Sequence, residues 1–139
     1  MRVFLLLISI VASLLASWPA RAQDRFFPHK EGEKVKYAVM IEFGKGYISG
    51  VGIIACQEEE IRGAVFNEFG VSVMSFSYNP CRNRMKILDA AGKFNRWYVK
   101  RVIRKDMVHV MNALQMSETT YFNEKRRIRY TFTPLDNQE

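Results

Sequence analysis

The sequence predicts an α+β domain: a strongly curved antiparallel sheet of about seven strands, a half-barrel, packed on one main helix inserted before the last hairpin. Three observations carry this prediction. Apolar residues alternate with polar ones in short segments, separated by Gly, Asn-Pro and charged turns, which marks strands joined by tight connections. Only one stretch, residues 93–116, shows apolar residues at helical spacing over several turns. Several strands are apolar on both faces, and one helix cannot cover so large a sheet unless the sheet curls around it.

Residues 1–22 are expected to leave the chain as a cleaved secretory signal. Arg2 is a short positive start, and residues 3–18 are apolar apart from Ser9, Ser13 and Ser17. Ala20-Arg21-Ala22 has the small-x-small form of a cleavage site. The apolar run is shorter than the roughly 20 residues of a membrane-spanning helix. No Cys follows the site, so no lipid anchor is expected. The expectation is an exported protein, by preference in the periplasm of a Gram-negative bacterium, with no transmembrane helix in the mature chain.

Residues 23–32, with Pro28 and Gly32, read as an extended lead-in, from which Phe26 and Phe27 either fold back or stay free. The domain covers residues 33–134, and residues 135–139 form a polar tail. Val35, Tyr37, Val39, Ile41 and Phe43 alternate with Lys34, Lys36, Ala38, Met40 and Glu42, so the first strand buries one face. Gly44-Lys45-Gly46 supplies a hairpin turn. Residues 47–56 return, and Gly50 and Gly52 there permit a bulge, a bend or a close approach to the backbone. Gln57-Glu58-Glu59-Glu60 reads as a solvated turn, because consecutive carboxylates do not converge on one ion.

Residues 61–68 and 71–78 form the next hairpin around Phe69-Gly70. Asn79-Pro80 ends it, since proline cannot donate to a ladder. Residues 84–89 are a short fifth strand. At about 100° per residue, Tyr98, Val99, Val102, Ile103, Val110 and Leu114 share one helix face and Lys100, Arg101, Arg104 and Lys105 the other. Trp97, Val108 and Met111 project toward the basic side, and Asp106 lies at the edge of the apolar arc, within reach of a neighbouring cation. Residues 119–122 and 127–133 close the domain as a hairpin around Asn123-Glu124-Lys125.

Two-sided strands need a cover on each side or a ligand on one. Val51 and Ile53 oppose Ile48 and Ile54, and Val71 and Val73 oppose Met74, Phe76 and Tyr78. The chain holds ten Phe, six Tyr and two Trp, all but Phe4 and Trp18 beyond the leader, which suits a sheet wrapped on a helix. Such a sheet can leave an apolar cleft between its concave face and the helix. The stretch "GIIACQEEEIRGAVFNEFGVSVMSFSYNPCRNRMKIL", followed by the helix bearing "NRWYVKRVIRK", resembles the half-barrel of the lipoprotein-carrier superfamily, the periplasmic lipoprotein chaperone and its outer-membrane receptor. The matching elements are a Gly-started strand, the hairpin "GAVFNEFGVSVMSFSY" and a basic strand after it. The resemblance implies acyl chains held between sheet and helix, with no chemistry. This chain departs from it in being shorter and in lacking an evident N-terminal helix and a lipobox. Phe66, Phe69, Met74, Phe76 and Tyr78 on the matching strands, with Tyr98 and Val102 on the helix, are the candidate apolar lining.

No catalytic set, metal site or cofactor is expected. His29 and His109 are the only histidines, and no nucleophile elbow, phosphate loop or paired metal-binding His motif occurs. Cys56 and Cys81 lack redox spacing, although an oxidising compartment permits one disulfide. In a meander they sit at one end of the sheet with a strand between them, about 10 Å apart. A bridge needs Cα atoms roughly 4.4–6.8 Å apart, so two free thiols are favoured.

The net charge of +7 falls by two with Arg2 and Arg21, which together with export argues against a nucleic-acid partner. Mild positive charge suits anionic headgroups or acidic proteins. Trp97 beside Lys100, Arg101, Arg104 and Lys105 is therefore a candidate surface for headgroups or a partner, or simply a solvated helix face with a packed Trp. The leading expectation is a non-catalytic periplasmic carrier for an apolar or acylated ligand, a lipid or lipoprotein. The alternative is an envelope protein-interaction module that docks through its sheet face or its basic, Trp-bearing helix. A small envelope enzyme ranks third.

Overall fold

The computed structural model describes residues 26–135. The leader expected over residues 1–22 and the tail after Leu135 lie outside the described residues. The elements are β1 (Lys34–Phe43), β2 (Gly46–Gln57), β3 (Glu60–Asn67), β4 (Ser72–Asn79), β5 (Arg84–Ala90), a 3-10 turn (Gly92–Asn95), α1 (Trp97–Gln115), β6 (Thr120–Asn123) and β7 (Ile128–Pro134). All seven strands form one antiparallel sheet in the order β5-β4-β3-β2-β1-β7-β6. The sheet curls into a half-barrel. Its two edges are β5 and β6, and these are the strands the α1 backbone approaches most closely. The helix therefore bridges the gap between the edges of the curl.

This placement explains the aromatic load. The pleat turns every second side chain into the concavity. One row across the sheet is Val35, Ile54, Gly63 and Phe76, and the next is Tyr37, Gly52, Val65 and Met74. The helix adds Ile103, Met107, Val110, Met111 and Leu114. With the helix backbone held near the edges, the middle of the half-barrel must be filled by long side chains. Tyr37, Phe76, Tyr78, Tyr130, Phe132, Met107 and Met111 do this and are fully buried.

Two glycines stand where the packing leaves no room for a side chain. A Cβ on Gly63 would overlap the Phe76 ring, so β3 carries no side chain where that ring sits. A Cβ on Gly50 would overlap the Phe66 carbonyl, so β2 and β3 approach there more closely than any other residue allows. Of the options open for the second strand, the close backbone approach is the one realised.

The strand ends around Cys56, Glu60 and Asn79 form a closed end. Phe27 is buried in the common core there, and Phe26 packs against it. The Tyr37 hydroxyl donates to the Phe26 carbonyl at 2.6 Å. Gly32 N–H donates to the Cys56 carbonyl at 2.9 Å, and Cys56 N–H to Glu33 at 3.0 Å. The lead-in thus folds back. The neighbouring turn shrinks to Glu58-Glu59, both left-handed at φ 53° and 65°. The Glu31 carboxylate accepts from the Glu58 N–H at 2.9 and 3.0 Å.

The helix departs from expectation in three ways. It starts at Trp97 rather than Lys93, because residues 92–95 wind as a 3-10 turn and Arg96 is extended at φ −73°, ψ 137°. Met111, expected on the basic side, lies at the centre of the buried face. Asp106 is buried at 3% exposure and meets no cation among the described residues; β6 and β7 present it with Asn123 and Tyr130 instead. The carboxylate is tolerated on the buried side because Asn123 on β6 and Tyr130 on β7 supply its donors.

Candidate functional site

The opposite, open end collects the β1–β2 turn, the β3–β4 turn, the 3-10 turn, the start of α1 and the β6–β7 turn. The inward side chains here are mostly short and branched: Ile41, Ile48, Val73, Val99, Val102, Ile103 and Ile128. Among the described residues, no segment plugs this end as Phe27 plugs the other. The result is a half-open apolar cleft of about 710 Å³ between sheet and helix. Phe43 and Phe94 meet edge-on at 6.3 Å and join the end of β1 to the 3-10 turn. Lys93, Arg126 and Asn67 are its few polar wall residues beside Ser72. A cleft of this volume is within the roughly 300–1,000 Å³ range that buries a small organic ligand.

A second groove of about 440 Å³ adjoins it and is lined by Trp97, Arg101, Lys105, Asp106, Asn123 and Lys125. Tyr98, Val102 and Arg126 are walls of both spaces. Trp97 is 74% exposed and stands edge-on to Tyr98 at 5.8 Å. The Arg96 guanidinium donates to the Tyr98 hydroxyl at 2.9 Å. Asp106 accepts from Asn123 Nδ2 at 2.8 and 3.1 Å and from the Tyr130 hydroxyl at 2.7 Å. Burial, and then the hydrogen bond to Asp106, raise the Tyr130 phenol far above its ordinary value. Burial alone does the same to Tyr37. His109 is exposed and stacks on Tyr121 at 4.8 Å, which is a packing role.

The apolar lining residues proposed from sequence separate into four groups. Tyr98 and Val102 line the cleft. Met74, Phe76 and Tyr78 do not: they fill the packed part of the core, and Tyr78 is pinned through its hydroxyl to Asn83 at 2.6 Å and Asn112 at 3.2 Å. Phe66 is on the convex face, because its neighbour Val65 points inward and the pleat alternates. Phe69 is 88% exposed at the tip of its turn. On the basic helix face, Trp97, Arg101 and Lys105 line the second groove, whereas Lys100 and Arg104 line neither space.

Sequence reasoning did not nominate Lys93, Phe94, Lys125 or Arg126. The run Lys125-Arg126-Arg127 was the available signal for the last pair, and it reads as an ordinary charged turn. Cys56 is buried, Cys81 is exposed, and both are free thiols. Burial, followed by the charges of Glu31 and Glu33, pushes the Cys56 thiol up, which makes it a poor nucleophile. Among the described residues, no three His, Cys, Asp or Glu side chains are placed to hold an ion, and no helix is long and apolar enough to cross a membrane.

Comparison with family models, curated proteins and solved structures found no significant match.

Proposed function

We propose that this protein is a non-catalytic carrier of the cell envelope that holds an apolar or acylated ligand in the open-end cleft, between the curved sheet and α1. The observation behind this reading is the cleft itself. It is large, almost wholly apolar and reachable from the surface, in a fold whose other end is tightly filled. An apolar cleft of this size with a few polar groups on its wall is the usual form of a small-ligand site. The export leader expected from residues 1–22 and the resemblance read in the central strands support the same proposal. Native mass spectrometry of the protein purified from its host should find copurifying lipid. A fluorescent fatty acid should bind, and Val102→Trp, which fills the cleft, should abolish uptake. A clean ligand-free mass with no uptake overturns the proposal. Cell fractionation tests the periplasmic location.

A second reading, docking to an envelope protein, is favoured by one observation. Met40 and Val51 are exposed on the convex face, where Ala38, Val51 and Phe66 sit side by side across β1, β2 and β3. In-cell crosslinking from Val51 should return a single partner if this reading holds.

A further inference from the structure

The geometry points to a two-part ligand: a single apolar tail in the cleft and an anionic head, carboxylate or phosphate, seated in the adjoining groove on Arg101, Lys105, Lys125 and Arg126. This inference rests on the reading that the cleft binds an apolar ligand, and it specifies the chemistry of that ligand. The two spaces adjoin across shared walls, since Tyr98, Val102 and Arg126 border both. A molecule that entered the cleft would therefore leave its outer end among the cations.

The groove is built to stay positive. Arg101 and Lys105 are four residues apart and lie on one ridge of α1, while Lys125 and Arg126 come from the β6–β7 turn. Like charges brought together in this way repel one another unless an anion lies between them. The groove's one carboxylate, Asp106, offsets one of these four cations and leaves the groove net positive. Asp106 is buried, and its oxygens accept from Asn123 and Tyr130. Glu124, beside Lys125, is not one of the walls. α1 also begins here, and no side chain caps its first turn, so its free N–H groups add positive potential of the same sign. The cleft's volume suits one tail of moderate length rather than several.

The test is a binding series at constant tail: dodecanoate, dodecyl phosphate, dodecanol and dodecyltrimethylammonium. Calorimetry gives affinity, and Trp97 beside the groove gives a fluorescence readout of head placement. Dodecanoate or dodecyl phosphate should bind at least about tenfold tighter than dodecanol, the size expected of a charge-assisted contact. The cationic amphiphile should bind most weakly. The preference should shrink as salt rises. The better of the two anions identifies the head as carboxylate or phosphate. Arg101→Gln with Lys105→Gln, which line the groove but not the cleft, should abolish the preference while dodecanol binding stays within about twofold, as expected when only the charged contact is removed. Lys86→Gln, on exposed β5, serves as the control and should change nothing. Equal binding of dodecanol and both anions overturns the anionic head and leaves the carrier reading standing. Binding of none of the four overturns both.

Discussion

The closed and open ends of the half-barrel are made from opposite ends of the same strands, yet they are finished differently. At the closed end Phe27 returns from the lead-in, Tyr37 ties it down through the Phe26 carbonyl, and Phe76, Tyr78, Met107 and Met111 fill the space under the helix. At the open end the inward positions carry Ile48, Val73, Val99 and Val102, and a cleft of about 710 Å³ remains. The difference separates a filled region from an accessible one within one core. Long side chains bridge the helix and sheet where the fold is held. Shorter ones leave a cleft open to the surface.

The sharpest way to break this comparison is to truncate one large residue at each end. Phe76→Ala should cost about 3–5 kcal/mol in urea unfolding, because the filled end cannot collapse around the loss. Ile48→Ala, which already faces open space, should cost no more than about 1.5 kcal/mol. Equal costs would mean that the two ends are packed alike. Next in size, Asp106→Ala should destabilise by about 2–3 kcal/mol, because it strips Asn123 and the buried Tyr130 hydroxyl of their acceptor.

The third prediction concerns alkaline pH. Tyr37 and Tyr130 have folded values above their ordinary one, so the native state holds these protons more tightly than the unfolded chain does. Their contribution to stability is complete below pH about 10, the unfolded phenol value, and is lost as pH rises beyond it. Thermal unfolding from pH 8 to 11, as bracketed by about the phenol range, should show this fall, and Tyr130→Phe should lessen its slope. The smallest expected effect on stability is that of Val102→Trp, within about 1 kcal/mol, since a ring entering a cleft meets little resistance. The same change should reduce fatty-acid uptake at least about tenfold, equivalent to roughly 1.4 kcal/mol. A large stability loss from Val102→Trp would show that the cleft is not free space.

Much of the sheet was legible in the sequence. Alternation in residues such as Val35, Tyr37, Val39 and Ile41 marks the buried face of β1 correctly, and the turns at Gly44, Phe69-Gly70 and Asn79-Pro80 delimit the meander. The pairing of β7 with β1 was not legible, because alternation says which face is buried and not which strand lies alongside. The site was legible only in part. Phe76 and Tyr78 look like pocket residues because they are aromatic and inward-facing, but the same properties describe a filled core. Tyr98 and Val102 are distinguished from them by position along the barrel axis, which local pattern does not encode.

Residue periodicity, turn chemistry and aromatic content by themselves determined an antiparallel sheet wrapped on one late helix. These are properties of neighbours in the chain, and short-range sterics and hydrophobic period suffice to specify them. Only the tertiary structure decided where the core is full and where it is empty. It also decided that Lys125 and Arg126 join Arg101 and Lys105 around one groove. Volume left between a helix and a curved sheet is a sum over side chains from distant segments. So is the charge gathered at its mouth, and neither exists until those segments meet.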